Sequence, residues 1–262
     1  MLLQDSERLD DLQLGDLKII QDKNKYNFTS DSALLANFIS TKKSDKCVEI
    51  GCGSGVISIL VNHKCSPQKI SAFEIQSSMA DLARRNIQLN NLSDKIEIIN
   101  APIQEFEKYI QKASVDVIFS NPPYMKVNEQ SLINSSKEIA ISRHEIKLNL
   151  HDLIKCSSNL LKFGGKLFLV HRSERLSEIF AEMHRNQLEP KRMFFVSPNE
   201  NKNPNIVLIE AQKGAKSGLK VLPTLIVNDK DGNYLYTIQK LYKENKWFTL
   251  LLRLLAIWKT SH

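Results

Sequence analysis

The sequence predicts an α/β protein built on a mostly parallel, doubly wound sheet. Three observations carry that reading. Apolar, β-branched runs of strand length recur at residues 47–50, 69–75, 95–100 and 115–120, with helical patterns between them, as expected of strands buried on both faces. The first run ends in the glycine turn Glu49-Ile50-Gly51-Cys52-Gly53-Ser54-Gly55 and passes directly into an apolar helical stretch, as the first unit of such a sheet does. The fourth run stops abruptly in Asn121-Pro122-Pro123-Tyr124, where two prolines forbid continuing either a strand or a helix.

A chain of 262 residues, 42% hydrophobic and 25% charged, can bury one complete core with small appendages. Its start, Met1-Leu2-Leu3-Gln4-Asp5-Ser6-Glu7-Arg8, lacks the positive region and apolar core of a secretion signal. No stretch approaches the roughly 20 apolar residues that span a bilayer, so a cytoplasmic protein is expected. Cys47, Cys52, Cys65 and Cys156 are not spaced as metal ligands or disulfide partners, and no metal site is expected. The net charge of +7 lies wholly in residues 191–262, which hold 12 Lys+Arg against 5 Asp+Glu, while residues 1–190 balance at 24 of each. A basic C-terminal third fits a polyanionic partner such as nucleic acid, although basic surfaces also serve solubility.

Taken in order, residues 1–25 are polar, with Leu12, Leu14, Leu17, Ile19 and Ile20 in a short alternation. That pattern predicts a hairpin or extended arm lying on the core. Ser30 or Asp31 is suited to cap a helix through residues 33–39, whose orphan N–H groups would face an anionic group or simply pack on the sheet. The glycine turn departs from Gly-x-Gly-x-x-Gly, having no glycine three residues after Gly53, which disfavours a dinucleotide pyrophosphate. Glu49 would repel a phosphate but hold an ammonium, so a cofactor with an amino-acid end suits Gly51, Gly53 and Gly55 better. Glu74 ends the second strand about twenty residues beyond the turn, where an acid takes ribose hydroxyls. Ile75 follows it, positioned to cover an adenine face. Residues 77–91 predict a capped helix with Met79, Leu82, Ala83 and Ile87 on its core face. Right-handed crossovers would then bring the glycine turn, Glu74, residues 101–103 and the Asn-Pro-Pro-Tyr loop to one carboxyl edge of the sheet.

The loop has chemistry of its own. The Asn121 side-chain oxygen and the Pro122 carbonyl can accept both hydrogens of a planar NH2 group, while Tyr124 offers a flat face to the ring that carries it. Residues 125–145 form a polar loop long enough for a lid or a contact with RNA. Lys126, Lys137 and Arg143 are candidate phosphate contacts there, with solvated surface charge as the alternative for each. His144 is read as structural. Residues 149–161 predict a helix and 165–172 a fifth strand.

Together, Glu-Ile-Gly-Cys-Gly-Ser-Gly at 49–55, Glu74 and Asn-Pro-Pro-Tyr at 121–124 resemble the class I S-adenosylmethionine-dependent methyltransferases that methylate amino groups. Residues 21–38, Ser142-Arg143-His144-Glu145 and the stretch 163–172 (FGGKLFLVHR) more closely resemble the bacterial tRNA(Val) adenine-N6 methyltransferases, from about residue 10 to 243. The resemblance implies a Rossmann-like, seven-stranded, mostly parallel doubly wound sheet with an antiparallel last strand, its final pair at 191–197 and 206–211. It implies S-adenosylmethionine as cofactor, tRNA as partner and the adenine at position 37 as target. It assigns catalysis to Asn121, Pro122, Pro123 and Tyr124. Cofactor binding falls to Glu49, Gly51, Cys52, Gly53, Gly55, Glu74, Ile75, Ile103 and Asn121, and substrate binding to Tyr124, Lys126 and Arg143. Pro102 departs from the family's acid after the third strand, so the contact to the cofactor amino group would come from backbone, Gln104 or water.

Two alternatives stand beside this reading. Glutamine methyltransferases of translation release factors use the same loop on a planar amide, but carry a sizeable helical domain where this chain has 46 residues before Cys47. The other is an RNA-binding module without turnover. Residues 1–243 are expected to form one domain, comprising an arm and helix at 1–45, a catalytic core at 46–215 and an extension at 216–243. An apolar and basic tail follows at 244–262, whose run 247–258 is expected to dock on the body or a second subunit in preference to lying at a membrane surface.

Overall fold

The computed structural model describes residues 3–12, 14–25, 28, 30–124 and 148–229. The expected arm is a hairpin, β1 (Glu7–Asp11) paired antiparallel with β2 (Lys18–Asp22) and separate from the main sheet. All seven anticipated strands are present: β3 (Lys46–Ile50), β4 (Lys69–Phe73), β5 (Ile96–Ile99), β6 (Val115–Ser120), β7 (Leu161–Arg172), β8 (Leu188–Asn199) and β9 (Ile206–Lys213). Two short strands, β10 (Lys220–Val221) and β11 (Leu225–Asn228), lie parallel to β8 and bring the sheet to nine. The order is β10-β8-β9-β7-β6-β3-β4-β5. The strands from β5 to β7 run parallel, while β9 is antiparallel to both β7 and β8. The chain steps outward from β3 to β4 and β5, then returns to place β6 on β3's other side. That reversal leaves a crevice beyond the carboxyl ends of β3 and β6, where open α/β sheets take their ligands.

Helices cover both faces. α1 (Ser30–Phe38), α2 (Val56–Cys65) and α3 (Ser77–Leu89) share a core with Phe119 and Phe168, whereas α4 (Leu150–Leu160) and α5 (Leu176–Arg185) share another with Ile118 and Leu167. Adjacent residues of one strand thus feed opposite cores, as the two-residue pleat requires. Each fully buried Phe or Leu in these layers contributes about 1.5–3 kcal/mol of burial. Asn149 caps α4, its side-chain oxygen accepting the Asp152 N–H at 2.8 Å. The cap expected on α3 is absent: Gln76 precedes it with no side-chain bond to the helix. α5 is an addition to the expected elements, although Leu176, Ile179, Phe180 and Met183 recur at helical spacing.

Three side chains of α3 seat the hairpin. Arg85 makes a two-pronged ion pair with Glu7 at 2.5 and 2.7 Å. Asn90 exchanges bonds with the Lys18 N–H and C=O. Asn86, fully buried, does the same for Ile20 and also donates to the Ser54 carbonyl at 3.0 Å. These amides act as a side-chain strand along the open edge of β2. The hairpin, α3 and the glycine turn are therefore one connected unit.

Among the described residues, no helix is long and apolar enough to cross a membrane and no cluster suits a metal ion. All four cysteines are free. Lys126, Lys137, Arg143, His144 and the run 247–258 lie outside the described residues.

Candidate active site

The glycine turn is bent toward β4 by two N–H groups, those of Gly51 and Cys52, both donated to the Phe73 carbonyl at 2.9 and 3.0 Å. Gly51 has φ +72°, and a Cβ built on it would meet nothing within 4 Å, so the space above it is open to close approach. Glu74 crosses the end of β4 to the turn. Its Oε2 accepts the Gly53 N–H and its Oε1 the Gln76 N–H, each at 2.9 Å. Burial raises the Glu74 pKa, opposed by these backbone donors from Gln76 and Gly53. These residues border a cleft whose empty space, about 930 Å³, runs out into open solvent. Ile75, Met79 and Ile103 give it apolar walls, and Asn121 and Pro123 stand at its edge on the β6 side.

Residues from α1 hold the Asn-Pro-Pro-Tyr loop. Asn121 Nδ2 donates to Ser32 Oγ at 3.1 Å, which turns the carboxamide oxygen the other way. That oxygen lies 2.7 Å from the Tyr124 hydroxyl, which in turn lies 2.9 Å from Asp31 Oδ2. Asp31, expected as a possible helix cap, thus bonds to the loop. Burial raises its pKa, countered by the Tyr124 hydroxyl and the charge of Arg172. A phenol has one hydrogen to give, so Asp31 and Asn121 compete for it. Behind Tyr124 sits His171, fully buried, with ring centroids 5.4 Å apart. Its Nδ1 accepts the Arg172 N–H at 2.8 Å, which puts its ring proton on Nε2. Burial, reinforced by Arg175, pushes its pKa down to about 3. His171 is therefore a neutral wall and no base.

A family model described as the methyltransferase small domain matches residues 25–189. The chain belongs to this family. A tRNA1(Val) (adenine(37)-N6)-methyltransferase from Porphyromonas gingivalis is 29% identical over 216 residues, covering 80% of this chain and 82% of the relative. One of the same name from Trichodesmium erythraeum is 30% identical over 159 residues, covering 60% and 65%. Among solved structures, a predicted O-methyltransferase from Agrobacterium tumefaciens superposes with a TM-score of 0.66 at 19% identity, covering 84% of this chain and 97% of its own. A geranyl diphosphate C-methyltransferase from Streptomyces coelicolor superposes at 0.51 and 16%, covering 70% and 74%. These two likenesses establish the methyltransferase fold.

In this methyltransferase the predicted cofactor residues divide into two groups, while of the predicted catalytic residues Asn121 and Pro123 line the cleft and Pro122 and Tyr124 do not. Gly51, Cys52, Gly53, Glu74, Ile75, Ile103 and Asn121 all line the cleft. Glu49 and Gly55 do not. Strand alternation puts Glu49 on the same face of β3 as Cys47, beneath α2, where its Oε2 accepts the Ser58 N–H at 3.1 Å and the Ser58 hydroxyl. It is fully buried there and does not line the cleft, and burial pushes its pKa up to about 8. Gly55 caps α2 at φ +81°, and a Cβ there would make only ordinary contact with Ala83 Cβ at 3.5 Å, so it is the left-handed backbone that calls for glycine. Pro102 and Gln104 both face the cleft, and the Gln104 amide donates to Asp152 at 3.1 Å. Ser32, Phe28 and Met79 are cleft residues that sequence pattern alone does not assign to the site. Ser32 follows the candidate cap Asp31 directly; nothing in its local pattern announces contact with Asn121.

Proposed function

We propose that this methyltransferase moves a methyl group from S-adenosylmethionine to N6 of an adenine in tRNA, with position 37 of a valine tRNA as the target. The observation that carries the reading is the fixed carboxamide of Asn121. With its NH2 committed to Ser32, its oxygen is the atom available to an incoming amine at the cleft edge. The names of the relatives supply the choice of RNA.

The residues fit the cofactor. Gly51 leaves room for close backbone approach, Glu74 stands at the strand end suited to ribose hydroxyls, and Ile75 and Ile103 offer apolar surface to an adenine. When bound, S-adenosylmethionine supplies an electrophilic methyl group on a positively charged sulfur. The chain's own part is positioning. Asn121 Oδ1 and the Pro122 carbonyl accept the two N6 hydrogens, which favours a pyramidal nitrogen with its lone pair directed at the methyl carbon. Tyr124 stacks on the base for roughly 1–3 kcal/mol, helping to offset the cost of turning it out of the RNA. For Oδ1 to accept from the substrate, the Tyr124 hydroxyl passes its hydrogen bond to Asp31, already within 2.9 Å. With the cofactor bound, N6 would take the methyl group as the sulfur regains its electron pair, and one N6 proton would then leave to water. No strong base is required, and neutral, buried His171 is consistent with that. Rate comes from alignment and from dipoles set where charge develops.

The test is incubation with labelled cofactor and, separately, unmodified tRNAs, a release factor and DNA, followed by nucleoside analysis. N6-methyladenosine confined to one tRNA is the expected result. Labelled glutamine in the release factor overturns the assignment. Asn121→Ala should reduce single-turnover rate on the order of 10²-fold while leaving cofactor affinity nearly unchanged. A retained rate excludes the role given to its carboxamide.

A further inference from the structure

We propose that Arg172 binds a backbone phosphate flanking the methylated nucleotide. This rests on the reading that the substrate is an adenine in RNA. Arg172 ends β7, and its guanidinium carbon lies 5.4 Å from the centroid of the Tyr124 ring. Its backbone is pinned at the same point, the N–H being taken by buried His171. Its side chain is partly exposed, and among the described residues no hydrogen bond or ion pair engages the guanidinium.

Three residues away, Arg175 shows what a structural arginine looks like here. It is 7% exposed, pairs with Glu178 through two nitrogens at 3.0 and 2.8 Å, and points a third at the Tyr124 carbonyl at 3.4 Å. Arg175 is spent on the fold. Among the described residues no acceptor takes the Arg172 donors, and its guanidinium lies 5.4 Å from the centroid of the ring on which the base would stack. A planar guanidinium with unused donors suits a phosphate bidentately. The Arg172 charge stabilises the ionised form of Asp31. A nucleotide with its base on Tyr124 carries phosphodiesters one sugar away; a glutamine in a protein carries none. Arg172 would then help select a nucleic acid over a peptide amide at a loop that serves either.

Methyl transfer by the full chain to an unmodified tRNA transcript, measured with RNA varied across a series of salt concentrations, tests this. Arg172→Ala should raise KM for RNA about tenfold, leave the cofactor Kd unchanged, and reduce the slope of log affinity against log salt by about 0.7–0.9. Arg172→Lys should restore the slope, and Arg172→Gln, which keeps polar contact but not charge, should not. Unchanged slopes with a fall in kcat alone would show that Arg172 only props Tyr124, and would overturn the proposal. If Arg172→Ala fails to fold, the slopes of the Lys and Gln variants decide the question in its place. The two readings fail differently. A wild-type protein that methylates a release factor and no RNA sinks the adenine assignment, whereas RNA methylation with salt slopes insensitive to Arg172 sinks only the phosphate contact.

Discussion

Asn86→Ala should cost this protein far more stability than its single lost side chain suggests. The residue is fully buried and its amide serves three backbone groups, the Ile20 N–H at 2.7 Å, the Ile20 carbonyl at 3.2 Å and the Ser54 carbonyl at 3.0 Å. Alanine leaves all three without that partner. An unsatisfied buried polar group costs about 1–3 kcal/mol. Carbonyls relax more cheaply than an orphaned N–H, so the sum falls at about 3–5 kcal/mol. For a domain of this size that corresponds to a melting temperature lower by about 10 °C. Urea unfolding followed by circular dichroism gives the free energy, and thermal denaturation the shift. Because Ser54 belongs to the glycine turn, the rise in melting temperature on adding S-adenosylmethionine should shrink as well. A loss under about 1 kcal/mol would falsify the claim that Asn86 joins the hairpin to the turn.

Two further outcomes follow from the same geometry. Glu49 has a folded-state pKa of about 8 against an ordinary 4.5, so the folded protein holds an extra proton between those values. Its contribution is complete below pH 4.5 and is lost as pH rises toward 8, by at most about 5 kcal/mol; Glu49→Gln should flatten that decline in pH-dependent urea midpoints. Gly51→Ala and Gly55→Ala both force alanine into positive φ, at about 1–2 kcal/mol of strain. Calorimetry should find cofactor affinity lost selectively in Gly51→Ala, whose methyl enters the cleft, while Gly55→Ala loses mainly stability through backbone strain. Equal losses of affinity would remove the distinction drawn between the two glycines.

What was legible in the sequence is what local pattern determines. The strands were readable because burial on both faces makes them continuous apolar runs, and the carboxyl edge followed from right-handed crossovers alone. β10, with two residues, is too short to leave a pattern. The short edge strands depend on pairing with β8 that no local feature records. Gly55 illustrates a deeper limit. A glycine that leaves room for a ligand and one that only lets the chain take a positive φ have the same letter, and only their surroundings separate them. Glu49 is similar: its partner Ser58 is nine residues off, and no local pattern shows that α2 packs over it.

The contacts that set up the chemistry were the least visible, and for a physical reason. Ser32 to Asn121 and Asp31 to Tyr124 span 89 and 93 residues. Each is a polar pair assembled by topology, so neither end looks unusual in its own segment. Yet one signal was present. Asn86 falls three residues after Ala83 and four after Leu82, on the face of α3 otherwise reserved for apolar side chains. A short amide in that stripe incurs a desolvation cost unless backbone groups from elsewhere meet it. Such a residue predicts that an unpaired strand edge or turn lies opposite, even when it cannot say which. Here that edge is β2, and the turn is the one that borders the cofactor cleft. The hairpin leads through Phe28, a cleft residue, to α1 with Asp31 and Ser32. A polar letter out of place on a helix is thus the sequence's trace of how the Asn-Pro-Pro-Tyr loop acquires its support.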